Sequence, residues 1–273
     1  MRPLNKREIA FVQTVHNYFV QHGRHDLPWR KTKNPYRILV SEIMLQQTQV
    51  DRVIPKYKAF LKVFPTVRAL ADASLGDVLR AWQGLGYNRR AKMLHNAAKQ
   101  VVTVHNGRFP RTHEALMALP GIGHYTAGAV MAFAYNTPIP IIETNIRTVY
   151  LYHFFKKDSH VADYKVLEKV ARTLAPEQPR TWYWALMDYG THLKKTHGNP
   201  NVRSRTYAKQ SKFKGSDREV RGAIVRALTS ESHTENTLLR ALPFKKERVT
   251  EQLQKLCAEL MVTKKGHQYL LPE

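Results

Sequence analysis

Apolar side chains recur at helical spacing along most of the chain. Ile9, Val12, Val15 and Phe19 mark an amphipathic helix that breaks at Gly23. Asn34-Pro35 reads as the next helix start, because Asn is a good N-cap and Pro suits a first turn, where its missing N–H costs nothing. Beyond it, Ile38, Leu39, Val40, Ile43, Met44 and Leu45 leave almost no polar face, which predicts a buried central helix from residue 36 to about residue 50. Residues 53–64 and 75–82 predict further helices, and residues 89–105 a basic amphipathic one. The run from Leu116 to Val130 predicts a helix ending at Pro120, a tight Gly121-x-Gly123 turn, and a second helix from about Tyr125 or Thr126. Pro138 and Pro140 force residues 137–140 to be extended. Helical patterning resumes at Asn145 and runs through residues 164–175 and 182–193.

The pattern changes over residues 193–214. Lys194, Lys195, Arg203, Arg205, Lys209, Lys212 and Lys214 occur there with no acidic residue, and Gly198, Asn199 and Pro200 interrupt it. This predicts a basic linker and a domain boundary. Beyond it, Val220, Ile224 and Leu228 predict one helix, residues 237–242 a short second, and residues 246–261 a third with Val249, Leu253, Leu256 and Leu260 on one face. Alternating polarity appears only in the last ten residues, where a small hairpin would turn at Gly266. Three helices and a hairpin fit a winged helix-turn-helix. The alternative is a small helical bundle packed on the main domain.

Composition narrows the class. The 273 residues are 43% hydrophobic and 24% charged, which are globular values. Lys+Arg number 44 against 21 Asp+Glu, a formal charge of +23. Such an excess predicts a polyanionic partner, nucleic acid or an acidic membrane surface. The longest apolar stretch, near residues 128–135, is far short of the roughly 20 residues of a spanning helix, and the N-terminus has no apolar signal-like region. One cysteine, Cys257, excludes an intrachain disulfide and a four-cysteine metal site. An intracellular, cytoplasmic, nucleic-acid-binding protein with no membrane partner is expected.

Two features carry candidate chemistry. In Leu119-Pro-Gly-Ile-Gly, two glycines let the backbone approach a ligand, and the N–H groups of the next helix point outward. That geometry binds phosphate without sequence preference, and it marks Gly121, Gly123 and Thr126 as DNA-binding candidates in a helix-hairpin-helix. Glu42 is the only acid between Arg37 and Val50, on a largely apolar helix. A carboxyl group there is expected to have a raised pKa, as a general acid needs near neutral pH; pairing with a nearby Arg is the alternative. His192 and His197 have a metal-like spacing without thiol partners, and Arg89, Arg90 and Lys92 fit a solvated helix face.

Leu27-Pro-Trp-Arg, Ser41-Glu-Ile-Met-Leu-Gln-Gln-Thr-Gln-Val, Gly84-Leu-Gly-Tyr and Leu119-Pro-Gly-Ile-Gly-His-Tyr-Thr-Ala-Gly-Ala, in this order over residues 8–193, resemble the A/G-specific adenine DNA glycosylases of the MutY type, in the helix-hairpin-helix base-excision superfamily. The resemblance implies an all-α, two-lobed fold: a six-helix barrel lobe over residues 28–139 carrying the hairpin, and a second lobe from residues 1–27 and 140–193, with DNA between them. The basic linker, residues 194–214, and a winged-helix-like domain, residues 215–273, complete the expected layout. It further implies hydrolysis of the N-glycosidic bond of an adenine flipped out of a pair with 8-oxoguanine or G. Glu42 matches the general acid that protonates adenine N7. Glu143-Thr144-Asn145 stands where the family has Asp-Gly-Asn, so Glu143 matches the carboxylate facing the sugar, with one extra methylene. Tyr125 occupies the position of the lyase members' Schiff-base lysine, which implies a monofunctional enzyme. Gln47 and Tyr87 match residues that wedge into the duplex, and Trp29, Arg30 and Asp188 the region around the flipped base.

Two departures follow. The family's four iron–sulfur cysteines are missing, with Lys194 where the first would stand, so no cofactor or metal is expected, and Lys194, Lys195, Arg203 and Arg205 are expected to take over the cluster loop's phosphate contacts. The family's C-terminal domain for 8-oxoguanine is replaced by about 60 residues of other character. The expectation is a monomeric adenine glycosylase acting on double-stranded DNA with a mispaired base. A thymine glycosylase for G·T pairs is the second reading, and a non-catalytic DNA-binding damage sensor the third.

Overall fold

The computed structural model describes residues 3–273, and among them the chain is almost wholly helical. In chain order the helices are α1 (Lys6–His22), α2 (Pro35–Leu45), α3 (Val50–Val63), α4 (Val67–Asp72), α5 (Leu75–Ala81), α6 (Arg89–Thr103), α7 (His113–Met117), α8 (His124–Tyr135), α9 (Thr144–Phe154), α10 (Asp163–Thr173), α11 (Pro179–His197), α12 (Asp217–Ala227), α13 (Glu235–Ala241) and α14 (Lys246–Ala258). Three short strands, β1 (His233–Thr234), β2 (Thr263–Lys265) and β3 (Gln268–Leu270), form one sheet in the order β1-β3-β2. No helix among the described residues is long and apolar enough to cross a membrane.

The starts follow from local chemistry. Asn5 caps α1 in a reciprocal capping box with Glu8, and Gly23 ends the helix where the apolar pattern breaks. α2 begins at Pro35 as expected, and Val40, Ser41, Glu42, Ile43 and Met44 are all buried. It stops at Leu45, five residues short of the expectation, because Gln47 takes a left-handed backbone (φ 55°) that no helix interior tolerates.

The chain divides into two compact units. One holds the chain up to Leu39 with Arg111–Met117 and Ile122–Lys209. Its core includes Phe11, Val15, Val130, Ile146, Tyr150, Tyr183 and Leu186, where α1 and α9 pack on α11. Gly190 sets how close α9 and α11 come: a Cβ there would lie 2.2 Å from the Asn145 carbonyl oxygen. α8 is buried from Thr126 to Ala134, which explains its missing amphipathic pattern. The other unit holds Val40–Pro110, Ala118–Gly121 and Gln210–Glu273, with α4 and α5 packed on α6 around Phe60, Leu70, Leu79, Trp82 and Leu94.

These divisions differ from the expected boundaries in two ways. The helices of the hairpin, α7 and α8, group with α9 and α11, because α8 packs on α7 and α11. The C-terminal 60 residues are no separate body. Gly76 N–H donates to the Pro272 carbonyl (2.7 Å), Arg80 Nε to the Thr229 carbonyl (3.1 Å), and Lys92 to the Glu259 carbonyl, which seats them on α5 and α6. Within them, helix, strand, two helices and a hairpin turning at Gly266 (φ 60°) give the winged-helix order, with β1 as a third strand that the sequence pattern did not show.

The expected linker is also shorter. α11 continues through Lys194 and Lys195 to His197, and a 3-10 turn, Pro200–Arg203, packs on α9. Asn201 is buried there and donates to Thr148 Oγ1 (2.7 Å) and the Thr144 carbonyl (3.2 Å). Val161 N–H donates to the Arg203 carbonyl (2.7 Å) and Arg205 N–H to the Val161 carbonyl (3.0 Å). A segment tied down by this many backbone bonds is part of the fold.

Candidate active site

Glu42 lies near the end of α2 and is 6% exposed, between buried Ser41 and Ile43. A carboxyl group held in such apolar company is a fit starting point for proton transfer. The end of its helix is organised by Arg90, at the start of α6. Arg90 Nη1 donates to the carbonyls of Ile43 (2.8 Å), Met44 (2.9 Å) and Gln46 (2.5 Å), and Nη2 to Thr48 Oγ1 (3.1 Å) and the carbonyls of Leu85 and Gly86 (both 3.2 Å). The last carbonyls of a helix have no partner within it; one planar fork satisfies these and ties the loop after α2 to the loop before α6. Burial pushes the Arg90 pKa down to about 10, so the side chain stays charged at neutral pH. The sequence reading placed Arg90 on a solvated face. The missed signal was an Arg three residues after Tyr87, at a helix start beside a glycine turn, where it can reach back over the loop.

The two wedge candidates stand at the tips of the loops that Arg90 joins. Gln47 (φ 55°) and Tyr87 (φ 49°) both have left-handed backbones, which few non-glycine residues adopt. Such strain costs on the order of 1–3 kcal/mol and persists where the surroundings hold it. Gln47 is exposed and Tyr87 half-buried.

The hairpin turn has the glycine geometry that the sequence predicted. Gly121 has φ 73°, and a Cβ on it would lie 2.5 Å from the Met93 Cβ on α6, so no other residue fits without displacing that helix. Gly123 is the N-cap of α8 and brings no side-chain acceptor to the helix start. Its surroundings are open, since a Cβ at this position would meet no atom within 4 Å. Such a helix start suits an anion. Tyr125 is half-buried in the first turn. Thr126 is 3% exposed and faces inward, so only its backbone N–H could serve a phosphate.

Glu143 is the N-cap of α9. Its Oε1 accepts from the N–H groups of Asn145 (2.7 Å) and Ile146 (2.8 Å), and Oε2 from Asn145 Nδ2 (3.3 Å). Burial raises the pKa of this carboxyl, opposed by those two N–H donors and by the charges of Lys194 and Arg147. Lys194 itself is half-buried; burial lowers its pKa and Glu143 counters the shift. Lys195 is exposed.

Arg30 and Asp188 are brought together, though as a buried ion pair: Nη1–Oδ2 2.7 Å and Nη2–Oδ1 2.9 Å. Arg24, which the sequence did not single out, adds Nε–Oδ1 at 2.7 Å and a backbone N–H to Oδ2 at 2.8 Å. Burial pushes the Asp188 pKa up, but these two guanidiniums and the N–H outweigh it and hold the carboxyl below its usual range. Trp29, 7% exposed, sits in the 3-10 turn Pro28–Lys31. Asp188 thus fastens the segment after α1 to α11. Arg203 and Arg205 are also engaged by the fold. Arg203 donates to the carbonyls of Lys156 (2.6 Å) and Leu151 (3.1 Å), closing the end of α9, and Arg205 to that of His160 (2.9 Å).

Residues 40–177 match the HhH-GPD superfamily of base excision DNA repair proteins. The chain is 38% identical over 227 residues to the adenine DNA glycosylase of Mycolicibacterium smegmatis, covering 76% of each chain. It is 39% identical over 183 residues to that of Buchnera aphidicola subsp. Baizongia pistaciae, covering 67% of this chain and 52% of the relative, so it spans about half of that protein's length. Among solved structures, a thermostable thymine-DNA glycosylase superposes with a TM-score of 0.64 at 26% identity, over 72% of this chain and 91% of that one. With its glycine hairpin, its buried Glu42 and these relatives, the chain belongs to the HhH-GPD superfamily of base excision DNA repair proteins and, within it, to the adenine DNA glycosylase family.

Proposed function

We propose that the protein is a monofunctional adenine DNA glycosylase that acts as a monomer on duplexes carrying adenine opposite 8-oxoguanine or G. The observation that carries this reading is Glu42: an acid 6% exposed on an otherwise apolar helix, at the family's general-acid position. In the proposed reaction Glu42 gives its proton to N7 of the flipped adenine. The C1′–N9 bond breaks and its electron pair leaves with the base. The positive charge left on the sugar is met by the Glu143 carboxylate, which two backbone N–H groups hold in one orientation. Water then adds its hydroxide to C1′ and returns a proton to Glu42. Such general acid catalysis contributes typically ~10²–10⁴-fold.

Tyr125 brings no amine to the position where the lyase relatives have one, which supports release of the base without strand cleavage. The donor set does not fit an iron–sulfur cluster, since the chain has one cysteine and that lies on α14. In place of a cluster loop, Asn201 and Arg203 pin the segment after α11 to α9 through hydrogen bonds. We propose a protein that folds and acts without iron.

The deciding experiment is base release from duplexes with A or T opposite 8-oxoguanine, G or C, run with and without hot alkali. Adenine release that yields strand breaks only after alkali is the expected result. Release of thymine from T·G in its place would move the assignment to a thymine glycosylase, for which the 0.64 TM-score superposition is the supporting observation. No release from any duplex would leave a DNA-binding sensor.

A further inference from the structure

Tyr87 is held from the C-terminal winged-helix segment as well as from α6. Arg218, in the first turn of α12, donates from Nη1 to the Tyr87 hydroxyl (2.5 Å), and its guanidinium lies 5.3 Å from the ring centroid. The Arg90 guanidinium lies 5.4 Å from the same centroid. Gln210 Nε2 donates to the same hydroxyl. Arg218 is in turn fixed by Nη2, which donates to the Ser211 carbonyl (2.7 Å) and Ser211 Oγ (3.1 Å). All these residues belong to one compact unit.

The charge of the C-terminal segment argues against an ordinary DNA-reading role for it. Residues 215–273 carry ten Lys/Arg against eight Asp/Glu, so nearly all of the +23 lies in the first 214 residues. On α14, Glu247 and Glu251 accompany Lys246, Arg248 and Lys255, and Lys255 is paired to Glu251 at 2.6 Å. A helix with this balance has little to offer a polyanion. What the segment does offer is a pair of donors on a half-buried tyrosine whose backbone is strained (φ 49°).

We propose that Arg218 and Gln210 are positioning residues that brace Tyr87 as a preformed wedge, so that the winged-helix segment aids lesion engagement through Tyr87 rather than through contacts of its own recognition helix. This rests on the reading of Tyr87 as the residue that enters the duplex. A side chain ordered before DNA arrives does not lose its rotamer freedom on binding, a cost of about 0.5–1.5 kcal/mol for a mobile one. The hydroxyl is the handle, because both donors end on it. The ring is left to stack, and base–aromatic stacking is the sequence-tolerant part of such an interaction.

The test compares the full-length protein with Arg218→Ala, Arg218→Lys, Tyr87→Phe and Tyr87→Ala, and with Arg218→Ala/Tyr87→Phe combined. Affinity is measured for an A·8-oxoguanine duplex and for a fully matched duplex, and stacking at the mispair by fluorescence of a neighbouring 2-aminopurine. Tyr87→Phe and Arg218→Ala should each lower the ratio of mispair to matched affinity by about three- to tenfold, with the double variant no worse than either single one, as for two ends of one contact. Arg218→Lys should behave like Arg218→Ala, because an ammonium does not reproduce the planar fork. If Tyr87→Ala loses the ratio and the fluorescence change while Tyr87→Phe and Arg218→Ala keep both, the brace is wrong and the wedge stands. If Arg218→Ala weakens both duplexes equally, Arg218 is a phosphate contact and the brace is wrong. If Tyr87→Ala changes nothing, the wedge reading itself fails and the brace falls with it.

Discussion

Single side chains decide how the proposed chemistry is held. Glu143 does two things at once, since the carboxylate that would face the sugar also caps α9. Glu is longer than the Asp and Asn side chains that cap best, yet both of its oxygens find donors here. Glu143→Gln keeps an acceptor for Asn145 and Ile146 but no negative charge. It should melt within about 1 kcal/mol of wild type while base release falls by ~10²-fold or more. Melting as expected with an unchanged rate would reduce Glu143 to a cap. Glu8 shows the purely structural use of an acid. It is 1% exposed, and the Arg172 guanidinium bonded to it at 2.7 and 2.8 Å, with Lys169 nearby, holds its pKa down from 4.5 to about 2. A depressed folded-state pKa adds stability that is complete above about 4.5 and fades as pH falls towards about 2. Arg172 is a third exposed, so the effect is on the order of 1–2 kcal/mol. In urea titrations the gap between wild type and Glu8→Gln should narrow from neutrality to about pH 3; a constant gap would remove the ion pair as its cause.

Elements show where sequence patterning sufficed and where it did not. The starts at Asn5 and Pro35, the Gly121 turn and the hairpin at Gly266 were legible because each depends on a residue with a local conformational preference. Arg90 and Arg218 were not, because their partners are carbonyls and a hydroxyl distant in sequence, and a lone Arg on a helix looks solvated until its loop is placed. Arg90→Lys tests the loop tie. A lysine cannot reach both sets of carbonyls, so the variant should lose about 2–3 kcal/mol of stability and bind mispaired DNA less well. A variant as stable as wild type would show that the loops hold themselves. The basic segment after α11 also divides by partner. Arg203 and Arg205 serve carbonyls, whereas Lys195, Lys209, Lys212 and Lys214 are exposed. Replacing those four lysines by Ala should weaken binding to matched and mispaired duplexes alike and flatten the plot of log K against log salt by up to about 0.9 for each phosphate no longer neutralised. An unchanged slope would make them ordinary solvated side chains.

At the scale of the whole molecule, charge and chemistry are separately placed. The positive excess lies before residue 215, the buried general-acid candidate sits on an apolar helix, and the C-terminal segment reaches the site region through Tyr87. The helical class and the winged-helix order were readable from periodicity. The grouping of α8 with α9 and α11, and of the C-terminal segment with α5 and α6, was not, since long-range packing leaves no periodic trace in the sequence. The central claim is that Glu42 supplies the proton that releases adenine. It is tested most directly by measuring free adenine from an A·8-oxoguanine duplex in a single turnover, with wild type and Glu42→Gln each saturating the DNA. Wild type should release one adenine per duplex and leave an alkali-labile abasic site, while Glu42→Gln, with affinity close to wild type, should release none on the same timescale. Adenine release by Glu42→Gln at the wild-type rate would contradict the account.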